Sequence, residues 1–112
     1  MDQPLTPAEF ERVDLRVGRV VEARDFPEAR IPAVQLYIDF GPDLGVLHSS
    51  ARIVDRYAPA ELVGRQVVAV VNFPPRQIGP VLSRCLVLGT LSEGGVSLLA
   101  PDHDVPPGTR IG

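Results

Sequence analysis

The stretch DLRVGRVVEAR, Asp14 to Arg24, limits the fold more than any other part of the chain. Leu15 and Val17 fall on one face and Asp14 and Arg16 on the other, the period of a half-buried strand. Gly18 then interrupts, and the adjacent Val20 and Val21 break the alternation. A bulge and strong curvature are the expected result. A long, bent strand of this kind serves two sheets and is the expected first element of a small closed barrel.

The rest of the chain supplies short strands to complete it. AVQLYIDFG (Ala33–Gly41) alternates cleanly, with Val34, Leu36, Ile38 and Phe40 on one face. PDLG reads as a hairpin-like turn into a third strand, Val46–Ser50. ARIVDRYAPAEL predicts one or two helical turns cut by Pro59, with Ser50 as the N-cap. RQVVAVVNF is a fourth strand, CLVLGTLS a fifth and VSLLAP a short sixth. Ahead of the barrel, Thr6-Pro7-Ala8-Glu9 is a capping box with proline at the first helical position. It predicts a helix over about Pro7–Val13 with Phe10 and Val13 facing inward. The predicted fold is all-β: a five-stranded barrel of OB type over residues 1–112 as a single domain, with a proline-rich extension over about 101–112.

Composition bounds what such a barrel can do. At 112 residues, 45% hydrophobic and 22% charged, the chain can build one core. No run approaches the roughly 20 apolar residues of a membrane helix, so no membrane insertion is expected. The acidic start, MDQPLTPAEFERVD, does not read as a signal peptide, and the lone Cys85 cannot form an internal disulfide, so a cytoplasmic location is expected. The formal net charge is −3, which confines nucleic-acid binding to a local basic patch. All 11 basic residues are arginine, which codon bias in a GC-rich genome explains more simply than selection for the planar fork that suits phosphate and carboxylate.

Signatures of catalysis are missing: no G-x-G-x-x-G, Walker A, G-x-S-x-G or H-E-x-x-H occurs. His48 and His103 lack a neighbouring cysteine pair, so no metal site is expected. Asp102-His103-Asp104 reads as a solvated turn, His48 as a partly buried strand residue and Cys85 as an inert core thiol. A Ser49–His48 nucleophile pair fails because adjacent strand residues point to opposite faces. The expectation is a non-enzyme without cofactor, metal or small-molecule substrate.

Two polar clusters remain. In HSSARIVDRY, Ser49, Ser50, Arg52 and Arg56 gather at a strand-to-helix junction, either as an anion site or as a cap with surface arginines. In VVNFPPRQIGPVLSR, the prolines Pro74 and Pro75 stop the fourth strand. The segment beyond carries Asn72, Arg76, Ser83 and Arg84 among Phe73, Ile78, Val81 and Leu82. That segment is either a polar-rimmed plug of one barrel end or a loop that meets a partner, because such apolar side chains are costly to display.

The motif order DLRVG, a proline-containing loop, SSA, V-x-N-x-x-P-R, S and L-x-L-G resembles the tRNA-binding domain family, which includes the C-terminal domain of many methionyl-tRNA synthetases. IDFG, VVNFPPRQIG and the short C-terminal PDHDVPPGTRIG resemble its CsaA-like branch of export-related chaperones. The resemblance implies an OB-fold, a homodimer formed through the terminal segments, affinity for tRNA and binding of unfolded or precursor polypeptides. It places RNA-facing positions on Ser49, Ser50, Arg52, Asn72, Arg76, Ser83 and Leu86, the last where tRNA-binding relatives carry methionine. A polypeptide would meet Phe73, Ile78, Val81 and Leu82. Pro74-Pro75-Arg76 and Gly79-Pro80 replace more basic stretches of those relatives, which shifts the expectation from RNA toward polypeptide.

Overall fold

The computed structural model describes residues 3–112. The first strand, β1 (Leu15–Asp25), bends as the sequence predicts. Its first half pairs antiparallel with β4 (Gln66–Val70) and its second half with β2 (Val34–Asp39), and the register slips between Val20 and Glu22. Val20 points into the core while Val21 is exposed, the mark of a bulge at the bend. Gly18 sits where a Cβ would lie 2.5 Å from Ile38 Cγ2 and 2.7 Å from the Phe40 ring. Only glycine lets the curved strand approach those side chains.

β2 pairs with β3 (Val46–Ala51), and β4 with β7 (Leu86–Val87), giving the order β3-β2-β1-β4-β7. The edge of β1 that β2 leaves free is taken by β8 (Arg110–Ile111), which pairs with Leu15 and Arg16. The barrel then nearly closes between β3 and the chain around β7. Arg84 N–H donates to His48 O (2.8 Å), Ser49 Oγ to Cys85 O (2.9 Å), and Ser50 N–H to Ser83 Oγ (3.1 Å). Inside lie Val20, Val34, Leu36, Ile38, Phe40, Ile53 and Val67, with Leu62 inserted from the helical turn α3 (Pro59–Leu62). The all-β barrel of the sequence reading is present.

The segment after Pro75 is not a loop but a hairpin, β5 (Arg76–Ile78) and β6 (Val81–Ser83), turned at Gly79 with φ +54°. It packs on the β1–β2 loop through a separate small core of Phe26, Ala33 and Val81, joined by Ala29 and Ile78.

Several expectations change. α1 (Pro7–Glu11) has the predicted capping box but buries no residue, and Phe10 is 40% exposed. A hollow of about 510 Å3 lies among Pro7, Phe10, Val13 and Ile111. PDLG forms a helical turn, α2 (Gly41–Leu44). Ser50 is a strand residue and caps nothing; α3 starts later, because Pro59 supplies its first turn, and Ala58 N–H donates to Glu61 Oε1. CLVLGTLS is shortened to β7, and VSLLAP contributes only the bridge between Leu98 and Gly89, where the chain folds back on itself.

Candidate nucleic-acid interface

Four separate segments build one open groove of about 1340 Å3: the β1–β2 loop, the end of β3, the β5–β6 hairpin with the run into β7, and the turn after Gly89. Among the described residues Arg30, Arg52, Arg76 and Arg84 line it, against one acidic residue, Glu28. None of these arginines has a carboxylate of the described residues within 4 Å; the ion pairs use Arg16, Arg19, Arg24, His103 and Arg110. An acidic chain thus concentrates uncompensated guanidinium groups on one concave surface. Such a surface attracts phosphate and carboxylate. Between the arginines the groove shows Ile31, Phe73, Leu86 and Leu91, each about half exposed or more, with Leu91 at 97%.

The positions singled out in the sequence divide into two groups. Ser50, Arg52, Arg76, Ser83 and Leu86 line the groove, as do Phe73 and Ile78. Ser49 is fully buried with its hydroxyl given to Cys85 O, and Ser83 Oγ is occupied by Ser50 N–H, so both serines close the barrel. Asn72 lies outside the groove. Its Oδ1 accepts from Asp14 N–H (3.0 Å) and its Nδ2 donates to Arg12 O (2.6 Å), tying the end of β4 to the N-terminal segment. Val81 is buried in the small core, where a peptide cannot reach it, and its strand neighbour Leu82 is not part of the groove wall.

Arg30, Ile31 and Leu91 are groove residues that the sequence reading misses. No local pattern marks them; Pro27 and Pro32 show only that Arg30 sits on a loop. Cys85 forms part of the floor, and burial pushes its thiol up to about 11, so it stays protonated and inert.

A second polar arrangement stands on the outer face of β2 and β3. Tyr37 and His48 are register partners whose rings stack, with centroids 4.2 Å apart and planes 13° apart. The Arg24 guanidinium lies 5.3 Å above Tyr37. Burial, and after it the charge of Arg24, hold His48 below the usual imidazole range, against an opposing pull from Glu22.

An OB-type barrel with an arginine-lined groove at its loops is the architecture of oligonucleotide-binding modules. A family described as "Putative tRNA binding domain" matches residues 15–110, and the chain belongs to that family. Within it the likeness is to the CsaA branch. The chaperone CsaA from Bacillus anthracis str. Ames is 47% identical, with a TM-score of 0.91 over 98% of this chain and 100% of that one. The CsaA chaperone from Picrophilus torridus is 43% identical, also at 0.91, over 97% and 100%. The methionine–tRNA ligase of Methanothrix thermoacetophila is 39% identical over 111 residues, 98% of this chain but 16% of that protein. The chain spans only about that share of the curated relatives it matches.

Proposed function

We propose that the chain is a non-catalytic, CsaA-like module that binds tRNA in the arginine-lined groove. The observation that carries this reading is the convergence of Arg30, Arg52, Arg76 and Arg84, none with a carboxylate of the described residues within 4 Å, in a chain of net charge −3. The charge that the β5–β6 hairpin lacks is supplied by arginines from other segments. The tilt toward polypeptide that came from the missing basic residues of that segment therefore weakens. Among the described residues no aromatic ring other than Phe73 lines the groove, so recognition rests on phosphate binding and shape, the mode suited to folded RNA. Arg52→Ala with Arg76→Ala should weaken tRNA binding and reduce the slope of log affinity against log salt by about 0.7 to 0.9 for each phosphate no longer neutralised. Unchanged affinity and slope in the double variant would refute this site.

A second reading has its own observation. Ile31, Phe73, Leu86 and Leu91 display apolar surface along the same groove, which suits an extended segment of an unfolded or precursor polypeptide held before export. The likeness to CsaA chaperones supports it. The acting form is a cytoplasmic homodimer joined through α1 and the C-terminal strand, where Phe10 and Ile111 flank an unfilled hollow. Suppression of aggregation of a denatured substrate at equimolar dimer is the expected result. Failure to suppress it would remove the polypeptide reading and leave the RNA reading intact.

A further inference from the structure

The stacked pair on the outer sheet face is continuous with the groove. Ser50 lines the groove wall, and His48 is two residues back along the same face of β3, about 7 Å away at strand rise. The alternation of β2 puts Gln35 and Tyr37 on that face too, opposite Ser50 and His48. A chain leaving the groove over Ser50 therefore runs past Gln35 toward the His48 and Tyr37 rings. Both are partly exposed, in a protein whose aromatic residues make up only 5% of the sequence.

The rings are also held in place before any ligand arrives. Gln35 Nε2 donates to Asp25 O (3.1 Å), so its Oε1 faces His48 Nε2 at 3.1 Å. In the neutral ring Nε2 then carries the proton, and Nδ1 keeps a lone pair free to accept. Arg24, paired with Glu22, covers Tyr37. The result is a column of guanidinium, phenol and imidazole fixed by its neighbours, so little rotamer entropy remains to be lost on binding.

We propose that the Tyr37–His48 stack is a base-stacking subsite that takes, on the His48 face turned away from Tyr37, one unpaired nucleobase of an RNA whose backbone lies in the arginine groove. The ligand is folded RNA that exposes an unpaired base, without preference set by a base edge, because stacking accepts any π face. The subsite rests on the RNA reading of the groove and extends it by a position to which arginine does not contribute.

The test uses the full chain with a short oligoadenylate carrying 2-aminopurine and, in parallel, unfractionated tRNA. His48→Ala should weaken oligoadenylate binding about tenfold, the scale of one base stack. Its salt slope should stay that of the wild type, since every arginine that meets phosphate is still present. His48→Phe, which keeps a flat ring but no ring nitrogen, should bind within about twofold of wild type and quench 2-aminopurine as the wild type does. If His48→Ala binds like wild type while the Arg52/Arg76 double variant is weakened, the subsite is refuted and the groove reading stands. If His48→Phe is as weak as His48→Ala and both melt like wild type, stacking is refuted. Wild-type protein that binds neither RNA would overturn the groove reading and the subsite together.

Discussion

Replacing Ser49 by alanine separates two roles that the SSA motif could have. The family resemblance puts Ser49 against RNA, whereas the structure buries it completely and gives its hydroxyl to Cys85 O at 2.9 Å. Ser49→Ala keeps the side-chain volume nearly constant, so no cavity contributes. The substitution removes one neutral hydrogen bond worth about 0.5–1.5 kcal/mol and adds part of the penalty for an unsatisfied buried carbonyl, about 1–3 kcal/mol. Ser83 Oγ lies 3.5 Å from the same carbonyl and can recover some of that penalty. The expected cost is about 1–2 kcal/mol. At an unfolding entropy near 2.1 cal/mol/K per residue, that lowers Tm by roughly 4–9 °C for a chain of this size. Thermal denaturation followed by circular dichroism reads the loss, and tRNA affinity measured well below Tm should be unchanged. A variant that melts within a degree of wild type and yet loses RNA affinity would refute the barrel-closing assignment, because Ser49 would then be meeting ligand.

Three further outcomes follow from the packing and charge of the barrel. Gly18→Ala drives a methyl group into Ile38 and Phe40 and should cost about 1–3 kcal/mol in denaturant unfolding; an unchanged midpoint would show that β1 can relax outward. The hydrogen bond from Arg16 holds the Asp14 carboxyl below its ordinary value of 3.8, helped by the charges of Arg16 and Arg110 and opposed by burial. The stability it adds is present above that value and is lost as pH falls through the lower folded value. Asp14→Asn should therefore remove this part of the acid-induced loss below about pH 4, seen as a flatter dependence of stability on pH. Cys85, with its thiol near 11, is ionised in roughly one molecule per thousand at pH 8, so an aromatic disulfide reagent should label it only after denaturation.

What could be read from the sequence was what local chemistry decides. Alternation and Gly18 are contained within β1 itself, so its bend and bulge were legible. The capping box at Thr6 was legible because the residues that make it lie within one helical turn. Phe10 was misread as inward, since helical spacing defines a face but not whether anything packs on it. Ser50 was misread as a cap because strand and helix N-terminus both tolerate serine there, and the start of α3 is decided downstream by Pro59. The groove was only half legible. Arg52 and Arg76 sit in recognisable motifs, but Arg30 reaches the same surface only because the small core docks its loop on the β5–β6 hairpin, and Leu91 lies on the separate fold-back after Gly89. The roles of Ser49, Asn72 and Val81 were hidden for the same reason: their partners are Cys85, Asp14, Arg12 and Phe26, all remote in sequence.

The small core of Phe26, Ala33 and Val81 gives the groove a jaw that is assembled apart from the barrel. Arg30 and Arg76 ride on its two halves, so the gap between them is set by how a few apolar side chains mesh, not by strand number or barrel diameter. Exchanging Phe26 or Ala29 for a larger or smaller residue can re-space the arginines while the main core, which shares none of these residues, keeps its stability. A lineage could retune the width of the ligand it grips in this way without re-evolving the scaffold that grips it.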